Sequence, residues 1–261
     1  MSAVLCRRVC KRFGRVEALR GANLEADAGA ICVLMGPNGS GKTTLSSIIA
    51  GALRQDSGEV RVFGEEPERA RDRLSFMLQD AFLSPTLTGM ENLKFFARLY
   101  GADPSRVSEL IDALGLRGEL NKPIKKCSGG TKRKFELAAA LAPDVDLYLL
   151  DEPTAALDPD ARREVLNMLL DMKRRGKTIL VVTHIPYDAE VADKLVYMAD
   201  GRDVASGRPS ELLGGVPTVV RAIPRASAFE VEGALSKYAM GGFVYRKGCL
   251  LYTSPSPRDR G

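Results

Sequence analysis

One histidine, His184, and five cysteines, Cys6, Cys10, Cys32, Cys127 and Cys249, are all that this 261-residue sequence offers for a Cys/His zinc site or disulfide chemistry. The cysteines are odd in number and form no C-x-x-C pair. That argues against both a disulfide framework and a Cys/His zinc site. Reduced thiols in a cytoplasmic setting are expected. Long apolar runs are missing too: Ile31–Met35 and Ile179–Val182 fall far short of the ~20 residues that span a bilayer. The opening residues, MSAVLCRRVCKRFG, lack the apolar stretch of a secretory signal. The sequence therefore predicts a chain that is neither exported nor membrane-embedded, so any work at a membrane requires a partner with spanning helices. Coiled-coil heptads and internal repeats are absent as well.

What remains is ordinary for a globular protein: 45% hydrophobic and 27% charged residues, enough for one large domain or a core with smaller lobes. The net charge of +5 gathers in basic clusters at Arg7–Arg15, Lys122–Lys134 and Lys173–Lys177. Such clusters suit phosphates, nucleic acid or an anionic membrane face, although a solvated surface accounts for any one of them.

VLCRRV and ANLEA read as short strands flanking a basic loop, and AICVLMG (30–36) as a buried central strand. KTTLSSIIAGAL reads as a helix, and EVRVFG and LSFML as strands. From Thr88 the period turns helical through TGMENLKFFARLYG and SRVSELIDALGL, the latter opened by Asp103 and Pro104. SGGTKRKFELAAALA is a further helix with Ser128 at its start. VDLYLL and TILVVT are buried strands, and between them DPDARREVLNMLLDMKRR is a helix opened by Asp158 and Pro159 and closed by Gly176. Asp200-Gly201 suits the tight turn of a hairpin. The pattern predicts an α/β core interrupted by a helical insert. Beyond Leu213, TVVRAI, AFEVEGALSKYAM and GFVYRKGCLLY read as a strand–helix–strand appendage. The final TSPSPRDRG reads as disordered, and so abrupt an end reads as truncated or artefactual.

The chemistry begins at Gly36, Pro37, Asn38, Gly39, Ser40, Gly41, Lys42 and Thr43, which fit G-x-x-x-x-G-K-[ST] between an apolar strand and a helix. Glycines let the backbone N–H groups turn inward around phosphates, and the helix start adds positive potential. Lys42 is expected to reach the β- and γ-phosphates and the Thr43 hydroxyl to ligate Mg²⁺. LYLLDE (147–152) is a buried strand ending in two acids. Asp151 is placed to hold Mg²⁺ through water. Glu152, which that task does not need, is placed to deprotonate an attacking water. CSGGTKRK puts Ser128, Gly129 and Gly130 at a second helix start, again an anion site. A chain with one nucleotide at its P-loop needs another nucleotide for that second site, so a partner subunit is implied.

With these motifs the chain resembles the nucleotide-binding domain of ABC transporters over residues 4–207. The resemblance implies a P-loop NTPase (RecA-like) α/β core with an antiparallel β subdomain and an inserted α-helical subdomain. It implies divisions at 1–87, 88–143 and 144–213, with 214–261 as an appendage. Phe13 sits where an aromatic stacks on adenine, and Thr44 follows the Walker A loop. Gln79 matches the Q-loop glutamine that senses Mg²⁺ and the γ-phosphate. CSGGT corresponds to the signature, with Cys127 and Thr131 replacing its usual leucine and glutamine. LYLLDE is Walker B, Asp158 lies in the D-loop at the dimer seam, and His184 matches the switch histidine.

The same resemblance implies two subunits, a homodimer or this chain with a paralogue, meeting head to tail around two ATP-Mg²⁺, each P-loop facing the other's signature helix. It further implies a polytopic permease subunit gripped by the segment from Gln79 to about Met90. KRK (132–134) and LTGMENLKFFARLYG resemble ATPases of drug, polysaccharide and lipid exporters. The expected location is cytoplasmic, peripheral on the inner membrane face, with no nucleic-acid partner. The alternatives are a soluble ABC ATPase of DNA repair, chromosome structure or translation, and a regulatory protein that hydrolyses little. The first usually carries coiled coils, zinc modules or a second ATPase domain that this sequence lacks, and Glu152 and His184 argue against the second.

Overall fold

A computed structural model describes residues 2–77, 82–213, 219–222, 243–246 and 249–253. Three wholly apolar or apolar-rich runs form β3 (Ile31–Met35), β6 (Leu147–Asp151) and β7 (Thr178–Thr183), and every residue in them is buried. They lie side by side and parallel, as strands covered on both faces do. β5 (Leu74–Met77) extends one edge; β8 (Lys194–Ala199) and β9 (Arg202–Gly207) extend the other. The sheet order is β5-β6-β7-β3-β8-β9. Only β9 runs antiparallel, reached through Asp200 and Gly201 at φ 48° and 77°. Both central residues thus take the left-handed conformation expected of a primed turn.

A second sheet, antiparallel in the order β2-β1-β4, is made by β1 (Ser2–Phe13), β2 (Val16–Asp27) and β4 (Ser57–Val62). The short strands and basic loop read from the sequence are one hairpin of two 12-residue strands, closed where Phe13 pairs with Val16. Register shifts between Cys6 and Val9, with Arg8 at φ 46°, explain the misreading. A bulge interrupts the in–out alternation by which a strand is recognised.

Among the described residues, four helices start where short polar side chains cap them. Thr88 and Glu91 form a reciprocal capping box at α2 (Gly89–Tyr100), which Gly101 ends in the left-handed conformation. Asp103 caps α3 (Pro104–Ala113), and Asp158 caps α5 (Pro159–Arg174) through the Ala161 N–H at 2.9 Å. α4 (Gly129–Leu141) starts at Ser128. α1 (Lys42–Ile49) is shorter than the sequence pattern predicts, since Gly51 at φ 68° turns the chain away. Among the described residues no helix is long and apolar enough to cross a membrane. The cysteines Cys6, Cys10, Cys32 and Cys127 are free thiols.

The chain divides into two compact units, Met1–Pro209 and Ser210–Gly261. The second contains an antiparallel sheet of β10 (Val219–Ala222), β12 (Cys249–Thr253) and β11 (Phe243–Arg246), in that order. GFVYRKGCLLY, read as one strand, is therefore two strands paired from Arg246 and Cys249 outward. The helix expected at 228–240 and the disorder expected at the C-terminal end lie outside the described residues.

One close approach fixes how the helices of the first unit meet. A β-carbon on Gly89, the first residue of α2, would lie 2.2 Å from the ring of Phe135 on α4, and Phe135 is fully buried. Gly89→Ala should therefore lower stability by about 1–3 kcal/mol through overpacking. Urea unfolding measures it, and an unchanged midpoint would contradict this seat of α2 on α4.

Candidate functional site

Register decides what meets at the sheet's C-terminal edge. Met35 pairs with Thr183, and Asp151 with Val182, so three neighbouring strands end nearly level. The chain leaves them into the loop beginning at Gly36, into His184 and into Glu152. Ligands of open α/β sheets bind beyond this edge.

Gly36, Gly39 and Gly41 take φ values of 154°, 80° and 99°. A β-carbon would sit 2.2 Å from the Met198 carbonyl oxygen at Gly36 and 2.6 Å from that of Ala18 at Gly41. Only bare backbone fits at these two glycines, so a phosphate can approach the loop's backbone closely. Lys42 arches over the loop and its Nζ donates to the carbonyls of Gly36 at 2.8 Å and Pro37 at 2.9 Å. Burial pushes its pKa down, while the carboxylates of Glu152 and Asp151 push it back up. The Ser40 hydroxyl is buried without a hydrogen-bond partner among the described residues. Thr43 is exposed and Thr44 half-buried on the first turn of α1.

Asp151 is buried, and burial raises its carboxyl pKa, against which the Thr43 hydroxyl acts in the opposite sense. Glu152 has φ 53°, a left-handed conformation that costs an L-residue about 1–3 kcal/mol and persists only where the surroundings hold it. Its N–H donates to the Val182 carbonyl at 2.8 Å. Its Oε1 lies 2.7 Å from Nδ1 of His184, whose side chain is 52% exposed while that of Glu152 is 9% exposed. Histidine thus presents its outer face while fixing the buried acid. Asp151 Oδ2 and Glu152 Oε2 are buried without a hydrogen-bond partner among the described residues. Unpartnered buried carboxylate oxygens are costly, and that of Asp151 with the Thr43 hydroxyl supplies hard oxygen donors that fit Mg²⁺. Asn38, Gly129, Glu152, Ala155 and His184 border one cavity of about 380 Å³.

Two supporting groups escaped the sequence reading. Asp188 accepts from the Thr154 hydroxyl at 2.7 Å and from the Thr183 hydroxyl at 2.7 Å, and all three residues are fully buried. This ties the turn after Glu152 to the strand end before His184. Burial pushes the Asp188 carboxyl up, and the two hydroxyls oppose the shift. Arg133, read as part of a basic run, is buried and donates from Nε to the Glu152 carbonyl at 3.0 Å and from Nη1 to Glu136 at 2.7 Å. Position was the available signal: Asp188 follows His184 by four residues and Arg133 follows Gly130 by three.

At the start of α4 the Ser128 hydroxyl accepts from the Thr131 N–H at 3.1 Å and lies 2.9 Å from the Thr131 hydroxyl. Thr131, which departs from the family's glutamine, thus takes part in the cap. Ser128 and Gly129 are exposed, and Gly130 is half-buried. Asp158, Ser128 and Phe13 do not line the cavity. Asp158 caps α5, and the Ala161 N–H holds its carboxyl below the usual range. Phe13 stands 49% exposed at the hairpin tip, with Lys11 Nζ 5.7 Å from its ring centre. Gln79 lies outside the described residues.

Residues 19–155 match the ABC transporter family. The Nod factor export ATP-binding protein I of Burkholderia lata is 38% identical over 216 residues, covering 79% of this chain and 71% of that protein. The daunorubicin/doxorubicin resistance ATP-binding protein of Streptomyces peucetius is 36% identical over 238 residues, covering 87% and 72%. Among solved structures, a dimeric ATP-binding cassette in a post-hydrolysis state with ADP and Pi superposes with a TM-score of 0.72 at 27% identity, covering 78% of this chain and 98% of that one.

Asp188→Ala should leave the hydroxyls of Thr154 and Thr183 buried without their acceptor, destabilising the fold by about 2–4 kcal/mol. Thermal or urea unfolding measures the loss, and a variant as stable as the parent would remove Asp188 as the tie between the two turns.

Proposed function

Since the chain belongs to the ABC transporter family, as an ATP-hydrolysing subunit, we propose that its catalytic work is divided between the strand-end cluster of one copy and the exposed start of α4 in another. The observation that carries this reading is the meeting of Lys42, Asp151, Glu152 and His184 beyond β3, β6 and β7, while Ser128 and Gly129 face solvent at a helix N-terminus.

The backbone of residues 36–43 cradles the phosphates of ATP, and Phe13 stacks on adenine. Lys42 exchanges its two carbonyl partners for β- and γ-phosphate oxygens, a stronger charge-assisted contact. Thr43, Asp151 and Gln79 are the residues to hold Mg²⁺, which when bound neutralises charge on the phosphate oxygens. Glu152 accepts the proton of the attacking water as the bond between the γ-phosphorus and the bridging oxygen of ADP breaks. His184 holds Glu152 by Oε1, which leaves Oε2 for the water, and its exposed ring edge meets the γ-phosphate. Ser128, Gly129 and Gly130 of the second copy contact the same γ-phosphate, with Asp158 at the seam. ATP then joins the two copies, and hydrolysis removes the joint.

Residues 88–143 form the helical subdomain between the two parts of the ATP-binding core, 1–87 and 144–213. The segment from Gln79 to about Met90 transmits closing and opening to a polytopic permease, at the cytoplasmic face of the membrane. Export is the direction, supported by the names of the relatives and by the run KRK after the signature.

Glu152→Gln should bind ATP and dimerise but hydrolyse about 100- to 10,000-fold more slowly. Normal steady-state turnover in that variant would remove Glu152 as the base. His184→Ala should likewise lose most hydrolysis while a binding titration finds its ATP affinity retained; a matching loss of affinity would assign His184 to ground-state binding instead.

A further inference from the structure

The buried guanidinium of Arg133 grips the backbone of the two acids rather than their side chains. Nε and Nη2 both donate to the Glu152 carbonyl, at 3.0 and 2.8 Å, and Nη2 also donates to the Asp151 carbonyl. Nη1 is held by Glu136 one turn along α4 at 2.7 Å. The arginine fork is thus spread over two consecutive carbonyls on one side and a carboxylate on the other, a task its planar array of donors suits and a lysine ammonium does not.

The far end of the same turn also rests on α4. Ala156, at φ 60°, places its carbonyl oxygen 3.0 Å from where a Gly130 β-carbon would lie. Two non-glycine residues in the left-handed conformation, Glu152 and Ala156, are therefore flanked by one helix, at Arg133 and at Gly130. A plain buried ion pair between Arg133 and Glu136 would explain the burial. It does not explain why three of the arginine's hydrogen bonds go to the carbonyls that orient Asp151 and Glu152. Nor are buried ion pairs retained for stability as a rule.

We propose that Arg133 is a positioning residue that links the two nucleotide sites. When the start of α4 engages the nucleotide of the opposing copy, Arg133 fixes the backbone of Glu152, which serves the nucleotide of its own chain. This rests on the reading above, in which Glu152 is the base and Ser128–Gly130 act across the seam. Occupancy of one site is then felt at the other through a rigid helix and three hydrogen bonds, so hydrolysis depends cooperatively on ATP.

The test is steady-state ATPase activity against ATP concentration, with a parallel binding titration, on the full chain and two variants. Arg133→Lys should lose about tenfold or more in kcat, keep ATP affinity within about threefold and lower the Hill coefficient towards one. Glu136→Gln removes the charge of the pair but leaves the fork, so it should lower thermal stability while keeping kcat and the Hill coefficient. Unchanged kcat or cooperativity in Arg133→Lys overturns the proposal, as does a Hill coefficient of one in the parent. Parallel losses of kcat in both variants also overturn it, because Arg133 would then be merely structural.

Should Arg133→Lys fail to fold, hydrogen exchange in the Glu152→Gln chain reads the same link. ATP should increase amide protection at Ala155 and Ala156, and the added change Ser128→Arg should abolish that increase. Protection that survives Ser128→Arg, or never arises, overturns the proposal. A parent whose turnover needs Glu152 but ignores Arg133 loses only this link, whereas one whose turnover ignores Glu152 loses the catalytic reading itself.

Discussion

Everything at the catalytic edge depends on the alignment of three buried parallel strands. With Met35 opposite Thr183 and Asp151 opposite Val182, the phosphate loop, the acids and the histidine leave the sheet side by side. A shift of one residue in any of these strands would turn its side chains to the opposite face and carry its functional residue out of reach. Burial on both faces enforces the alignment: β3, β6 and β7 have no exposed residue, so the cost of slippage falls on the whole core. The short-range geometry, such as the 2.7 Å contact between Glu152 and His184, is a consequence of that order.

The site is also a place where polar groups are buried at a cost and then held. Glu152 and Ala156 sit in a strained backbone region, Asp188 is a buried carboxylate, and Arg133 a buried cation. Glu152, Asp188 and Arg133 are held by named partners: the carbonyl of Val182, the hydroxyls of Thr154 and Thr183, and the carboxylate of Glu136. Among the described residues three buried oxygens lack hydrogen-bond partners, Ser40 Oγ, Asp151 Oδ2 and Glu152 Oε2, and all three lie at or just beyond the strand ends. Strain and unpaired polarity concentrate where a ligand interaction can relieve them.

Much of this was legible in the sequence because it is encoded locally. The phosphate loop is a contiguous pattern of glycines and a lysine, the buried strands are apolar runs, and Asp103, Ser128 and Asp158 announce their helices by capping chemistry. What was not legible depends on long-range contacts. Arg133 looks like a surface charge among Lys132 and Lys134, and nothing nearby reveals that it lies against a carbonyl 19 residues away. Asp188 finds Thr154 at a separation of 34 residues. The long hairpin of β1 and β2 was hidden for a different reason, since irregular register erased the alternation that identifies strands.

The close contact between Gly130 and Ala156 has a consequence for engineering. A signature sequence is commonly regarded as a portable cassette of a few residues, yet here a β-carbon on its fourth residue, Gly130, would crowd a separate loop, 3.0 Å from the Ala156 carbonyl oxygen. Chimaeras that import the signature of another transporter should therefore carry over residues 152–157 of the same donor, since the two segments are halves of one fitted joint.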